Sequence, residues 1–233
     1  MGSGALHDAA IKGNTSEVAA LLDQGADINA RVIGGTPLMM AATTGRAATV
    51  RVLLERGADV AAADDTDSTA LHWATRYGLQ SEEPEGGVTV VRLLLEHGAD
   101  ANRGDEMGDT PLMLAAQEGN VEAIRLLLEH GGDVHAATTN GSTALITAAA
   151  GGESEAARVL LAAGSDVNAR GAQGWTPLRF RVHNSDADGV RFYLAAGADA
   201  NAPDDAGSSL LALARERNDP SVLRLLTDAG AQA

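Results

Sequence analysis

The chain contains no cysteine among its 233 residues and only one lysine, Lys12, against sixteen arginines. Without thiols it can have no disulfide framework, thiolate nucleophile or cysteine-ligated zinc site. Aromatics are equally scarce, two each of Trp, Tyr and Phe, so a core has to come from close approach of small aliphatic side chains rather than from large rings. No apolar run reaches the roughly 18 residues that a membrane span requires. Positive charge is in deficit: 17 basic against 32 acidic residues leave a formal charge of −15, spread along the chain. That balance disfavours phosphate backbones and anionic membrane surfaces, so the expectation is no nucleic-acid partner and no membrane partner. A cytoplasmic monomer without cofactor or metal is expected. Met1-Gly2 does not make a myristoylation signal, because Leu6 stands where that motif wants Ser or Thr; Met1-Gly2-Ser3-Gly4 reads as a cloning remnant.

What the chain does have is a period. A glycine closes an apolar helical run at Gly25, Gly57, Gly98, Gly131, Gly164, Gly197 and Gly230, at spacings of 32, 41, 33, 33, 33 and 33. The same register repeats a leucine at Leu6, Leu38, Leu71, Leu112, Leu145, Leu178 and Leu211. A second apolar set follows at Leu21, Leu53, Leu94, Leu127, Leu160, Tyr193 and Leu226. Within a unit an Ala-rich helix starts after a Thr or Ser cap, as in Thr36-Pro37-Leu38 or Thr110-Pro111-Leu112, with proline at a first helical position where no amide hydrogen is needed. The chain turns, runs through a Val/Leu-rich second helix, and ends at the recurring glycine, which can take the left-handed conformation. A Gly-Ala-Asp segment and a polar linker lead to the next unit. Such helix pairs cannot bury their apolar faces singly; stacking them makes one continuous core with atypical end units.

These residues resemble the ankyrin family. Thr36-Pro37-Leu38, Thr69-Ala70-Leu71-His72, Thr110-Pro111-Leu112 and Thr143-Ala144-Leu145 match its Thr-Pro-Leu-His-x-Ala signature, and Gly98-Ala99-Asp100-Ala101-Asn102 its repeat ending. The resemblance covers nearly the whole chain. It implies an all-α ankyrin-repeat solenoid of seven helix–turn–helix units with short inter-repeat hairpin-like turns. The units are expected at 4–35, 36–68, 69–109, 110–142, 143–175, 176–208 and 209–233 of a single domain over 1–233. It also implies a protein-binding role, as scaffold, inhibitor or immunity-type binder, through a concave face and turn tips. The acidic surface suits a partner with a basic face.

Two places break the plan. The 41-residue spacing holds eight extra residues near 79–87, an acidic surface loop that is either a partner contact or an insertion tolerated in an exposed turn. The sixth unit replaces an Ala-rich first helix with Trp175-Thr176-Pro177-Leu178-Arg179-Phe180-Arg181-Val182-His183. Arg181 stands where other units carry Ala41, Ala74, Ala115, Ala148 and Ala214. Either Arg179, Arg181 and His183 meet an acidic group of a partner, or Arg181 pairs internally with Asp186 or Asp188. By the resemblance, Trp73, Arg76, Tyr77, Trp175, Phe180 and His183 fall where first helices and preceding turns face the concave groove, and Arg76, Tyr77, Trp175, Arg179, Arg181 and His183 are the candidate partner-binding residues. Trp73 sits where the family often buries a large apolar group. Val32 and Ile33 either extend that surface or fold inward, because their turn is one residue short. The alternative function is an enzyme or small-molecule-binding protein with its site in the groove around the sixth unit.

The histidines read as structural. His7 and His72 occupy the family's Thr-Pro-Leu-His position, whose ring ties neighbouring turns together by that resemblance, and His97 and His130 end second helices, where the dipole favours a cation. Asp64-Asp65-Thr66-Asp67 and Asp186-Ala187-Asp188-Gly189 lack the spacing and terminal Glu of a calcium loop and read as solvated turns.

Overall fold

The computed structural model describes residues 4–77 and 86–232, which carry fourteen α-helices. They form seven consecutive pairs: α1 (Ala5–Lys12) and α2 (Thr15–Asp23), α3 (Pro37–Thr43) and α4 (Ala47–Glu55), α5 (Ala70–Arg76) and α6 (Gly86–Glu96), α7 (Pro111–Gln117) and α8 (Val121–Glu129), α9 (Ala144–Gly151) and α10 (Ser154–Ala162), α11 (Pro177–His183) and α12 (Ala187–Ala195), α13 (Leu210–Glu216) and α14 (Pro220–Asp228). Among the described residues the only β pairing consists of isolated bridges, Val32 with Gly35 and Ala63 with Thr69. No helix among them is long and apolar enough to cross a membrane.

The starts and stops follow from local chemistry. Side chains of Thr36, Thr143, Thr176 and Ser209 accept the amide hydrogens of Met39, Ile146, Arg179 and Ala212, satisfying donors that a helix start leaves free. All seven recurring glycines lie at φ between 82° and 96°, where a Cβ would be strained. Lys12 closes α1 at an exposed position.

The chain divides into two compact units, Met1–Ala115 with Glu122–Asp133, and Ala116–Val121 with Val134–Ala233. In the first, α1, α3 and α5 stack as one layer and α2, α4 and α6 as a second; in the second, α9, α11 and α13 form one layer and α12 packs on α14. The periodic leucines are what the layers bury: Leu38, Leu71, Leu112, Leu145 and Leu178 are at most 1% exposed, each contributing about 2 kcal/mol. Leu21 is half-buried and Ile11 is exposed, in keeping with a terminal unit that meets water on one side. Ala41, Ala74, Ala115, Ala148 and Ala214 are fully buried, since these positions lie where neighbouring first helices touch.

Successive units are clasped by asparagine. Asn29, Asn102, Asn168 and Asn201 accept the amide hydrogens of Asp59, Asp133, Asp199 and Gln232 at 2.7–2.9 Å. Of the inserted segment, Gly86 and Gly87 are buried in the first turn of α6 rather than part of a surface loop. The remainder of the expected loop, from Leu79 to Glu85, lies outside the described residues.

Candidate functional site

Three of the hairpins between repeats are built on one carboxylate each, and its two oxygens have different work. Asp64 Oδ1 accepts the amide hydrogens of Thr66 and Ser68, Asp105 Oδ1 those of Met107 and Asp109, and Asp204 Oδ1 those of Ala206 and Ser208. These Asx-type bonds close the hairpin and leave Oδ2 free to hold a side chain from a first helix. Asp64 Oδ2 accepts from Trp73 Nε1 at 2.8 Å, Asp105 Oδ2 from Arg76 Nη2 at 3.1 Å, and Asp204 Oδ2 from Arg179 Nη2 at 2.5 Å. Burial works to raise the Asp64 pKa, but the hydrogen bonds from Thr66, Trp73 and Ser68 outweigh it and hold the carboxyl below its usual range. Asp204 is held low by the Ser208 amide and, after it, by Arg179.

In the first unit this arrangement produces a pocket of about 330 Å³. Asp64, Asp65, Thr66 and Ser68 of one hairpin line it together with His72, Trp73 and Arg76 of α5 and Tyr77 at the helix's C-terminal cap. Ile33 and Gly34 of the preceding hairpin form its rim. The bond to Asp64 fixes the half-buried Trp73 ring in orientation, and the Tyr77 ring lies 5.8 Å away at an interplanar angle of 55°. His72 is buried beneath them: Nδ1 accepts from the Thr69 amide at 3.1 Å, and Nε2 donates to the Asp109 carbonyl at 3.2 Å. That bond ties adjacent hairpins together. Burial pushes the His72 pKa down, so the ring is neutral near pH 7.

The rim is strained. The Val32–Gly35 bridge is closed by Ile33 and Gly34 with φ of +52° and +81°, the sign pattern of a type I′ turn. A turn one residue shorter than its counterparts needs positive φ at both central positions. Glycine meets that need without cost, but a β-branched residue there loses about 1–2 kcal/mol. The other non-glycine residues at positive φ among those described are Asp67, Gln173, Ser185 and Asn218, all polar. Ile33 also exposes its whole side chain, at 103% of the reference area. Of the two alternatives left open for this pair, Ile33 takes the outward one, while Val32 is half-buried.

The sixth repeat, in the second unit, has a different character. The Arg179 side chain is 3% exposed, donates to the Ser208 carbonyl as well as to Asp204, and stacks 5.9 Å from the centre of the Trp175 ring. Arg181 is 7% exposed; its Nε lies 3.1 Å from Asp186 Oδ2, and Nη1 donates to the Ala149 carbonyl. The internal ion pair is therefore the alternative realised for Arg181, with Asp186 as partner. Asp186 also caps α12 through the Gly189 amide. Trp175, half-buried, packs against Phe180 and His183 with ring centres 4.9 Å apart in both pairs. Burial first, and then the nearby Arg217 guanidinium, lower the His183 pKa.

Of the candidate binding residues, Arg76 and Tyr77 come together at the pocket, whereas Trp175 packs with Arg179 and His183, and Arg181 is buried separately against Asp186 and the Ala149 carbonyl. Arg76 retains partial exposure despite its bond to Asp105, and Tyr77 is 48% exposed. Sequence reasoning missed Asp64 and Asp65, which read as solvated turn residues. The available signal was the recurrence of Asp64, Asp105 and Asp204 at one hairpin position, each four residues before another polar residue.

The sequence matches the family described as ankyrin repeats (three copies) over residues 6–105, 59–138, 83–171 and 130–204. No curated protein matches the chain. Among solved structures, the crystal structure of the human ASB11 ankyrin repeat domain superposes with a TM-score of 0.84 at 26% identity, covering 98% of each chain. The family match extends from residue 6 to residue 204 and the superposition over almost all the rest, and the chain belongs to the ankyrin repeat family.

Proposed function

We propose that the chain is a binding module that recognises a partner protein at the pocket between the first two inter-unit hairpins and α5. Ankyrin repeats generally mediate protein–protein interaction, and this chain joins that role through one specific place. The observation that carries the reading is the coincidence of an open pocket with the exposed apolar groups Ile33 and Tyr77 at its edge. Large exposed hydrophobic side chains beside oriented polar groups are the composition of an interface centre. Ile33 gives the argument its energetic side: a strained turn that exposes an apolar side chain lowers the stability of the free protein, and burial by a partner would offset that loss. The partner is expected to present a basic face to this acidic chain, as a scaffold client or as the target of an inhibitor or immunity-type protein.

The test compares capture by three purified forms. Tyr77→Ala is expected to reduce the recovery of a specific protein from the native host at least tenfold while keeping the helical circular dichroism spectrum, as removal of an interface anchor should. Arg191→Ala, an exposed change on α12, should leave capture intact. Equal capture by wild type and Tyr77→Ala defeats the reading.

A further inference from the structure

We propose that the pocket beside α5 receives an arginine side chain of the partner, with the guanidinium lodged against the Trp73 and Tyr77 rings and hydrogen-bonded to Asp65. The inference rests on the reading of this pocket as the partner site and adds the chemistry of its occupant. The two tilted rings, 5.8 Å apart, offer neighbouring π faces whose negative potential attracts a planar cation stacked on either of them. Trp73 is a fixed wall, because its Nε1 is anchored to Asp64.

The polar groups select the sign of the charge. Asp65 uses only Oδ1 for Arg31, at 2.7 Å, and its side chain is 82% exposed. Oδ2 faces the hairpin: a Cβ added to Gly34 would stand 3.2 Å from it, so glycine at that position leaves the oxygen accessible. The cation already in the wall, Arg76, is matched by Asp105, whose side chain is only 6% exposed. Arg31 is likewise matched by Asp65 itself. Asp64, held in its charged form, therefore adds negative potential that neither of these arginines offsets. Ile33 at the rim suits the aliphatic stem of a long basic residue, which keeps apolar contact while its head group reaches inward. Arginine satisfies all three surfaces at once: stem on Ile33, plane on the rings, and an N–H to Asp65. Lysine, a strongly hydrated point charge, matches only the carboxylates and, more weakly, the ring faces.

Two tryptophan indole N–H resonances report on this in the intact chain by ¹H–¹⁵N NMR, with Trp73 assigned through Trp73→Phe. The probes are N-acetyl-arginine amide, its neutral isostere N-acetyl-citrulline amide, and N-acetyl-lysine amide. The arginine probe is expected to shift the Trp73 signal saturably with a Kd on the order of 10 mM, the weak affinity expected of one side chain, and to leave Trp175 unmoved. Citrulline should bind at least fivefold more weakly, and lysine more weakly than arginine. Tyr77→Leu, which keeps apolar bulk but removes the ring, and Asp65→Asn, which keeps the shape but removes the charge, should each abolish the preference for arginine over citrulline. No shift of Trp73, equal shifts by arginine and citrulline, or equal binding of lysine and arginine each overturn the arginine assignment. If Tyr77→Ala still loses the protein partner in that event, the pocket remains the interface with another occupant. If capture is also unchanged, the interface itself lies elsewhere.

Discussion

The pocket beside α5 and the cluster on α11 use the same device for opposite ends. In both, a hairpin aspartate uses one oxygen to close its own turn and the other to hold a first-helix side chain. At Asp64 the captured group is an indole nitrogen, which leaves the ring faces available; at Asp204 it is a guanidinium, which is enclosed. An unusual residue in a regular repeat thus marks a change in packing, and the exposure of what remains decides whether that change can serve a partner. By that criterion the more conspicuous irregularity, the basic sixth repeat, offers less to a partner, because Arg179 and Arg181 are enclosed and paired internally. The quieter one, a shortened turn before Trp73, is the better binding candidate.

Three measurements break or sharpen this contrast. The largest effect is expected from Arg181→Ala, which leaves Asp186 and the Ala149 carbonyl without their guanidinium and opens a void where the other units pack tightly around alanine. A fully buried pair broken this way costs about 3–5 kcal/mol; with Asp186 partly exposed, about 2 kcal/mol is expected in urea unfolding. A variant as stable as wild type would mean that this arginine is not architectural. Next is Ile33→Asn, which fits the left-handed position and removes an exposed apolar group. It should raise stability by about 1 kcal/mol while weakening partner binding; a loss of stability would show that Ile33 is not strained.

The smallest effect is a pH dependence. His72 and His183 both have pKa values lowered in the folded protein, mainly by burial. The unfolded chain therefore takes up protons below its ordinary histidine pKa of about 6.5 while the folded chain resists, so the stability they contribute is complete above that pH and declines as pH falls further. His72→Gln should flatten the decline in melting temperature between pH 7.5 and pH 5.5 more than His183→Gln, since His72 is the deeper of the two. Equal or reversed effects would put the titrating weight on the sixth repeat instead.

Much of the fold was legible because its signals are covalently local. Glycines at fixed spacing, Thr caps and periodic leucines specify helix ends and buried faces, and each takes the place expected of it. The site was less legible because it depends on which atom of a side chain is already engaged. Nothing in the order Asp64-Asp65-Thr66 distinguishes an aspartate with both oxygens committed from a neighbour with one oxygen free. Arg179 read as a partner contact for the same reason, since its acceptor Asp204 lies 25 residues away and is fixed only by stacking, whereas the nearby Asp186 left internal pairing of Arg181 open from the start. Ile33 was ambiguous because a one-residue deletion can be absorbed by folding inward or by inverting the turn.

Lys12, exposed in the last turn of α1, is the only side-chain amine the chain carries. Amine-directed chemistry, whether a fluorophore, a biotin or a sensor surface, therefore has one side chain to find besides the chain terminus. A protein coupled at that residue is held by its first helix pair, in one orientation, with the Trp73–Tyr77 pocket carrying no attachment of its own.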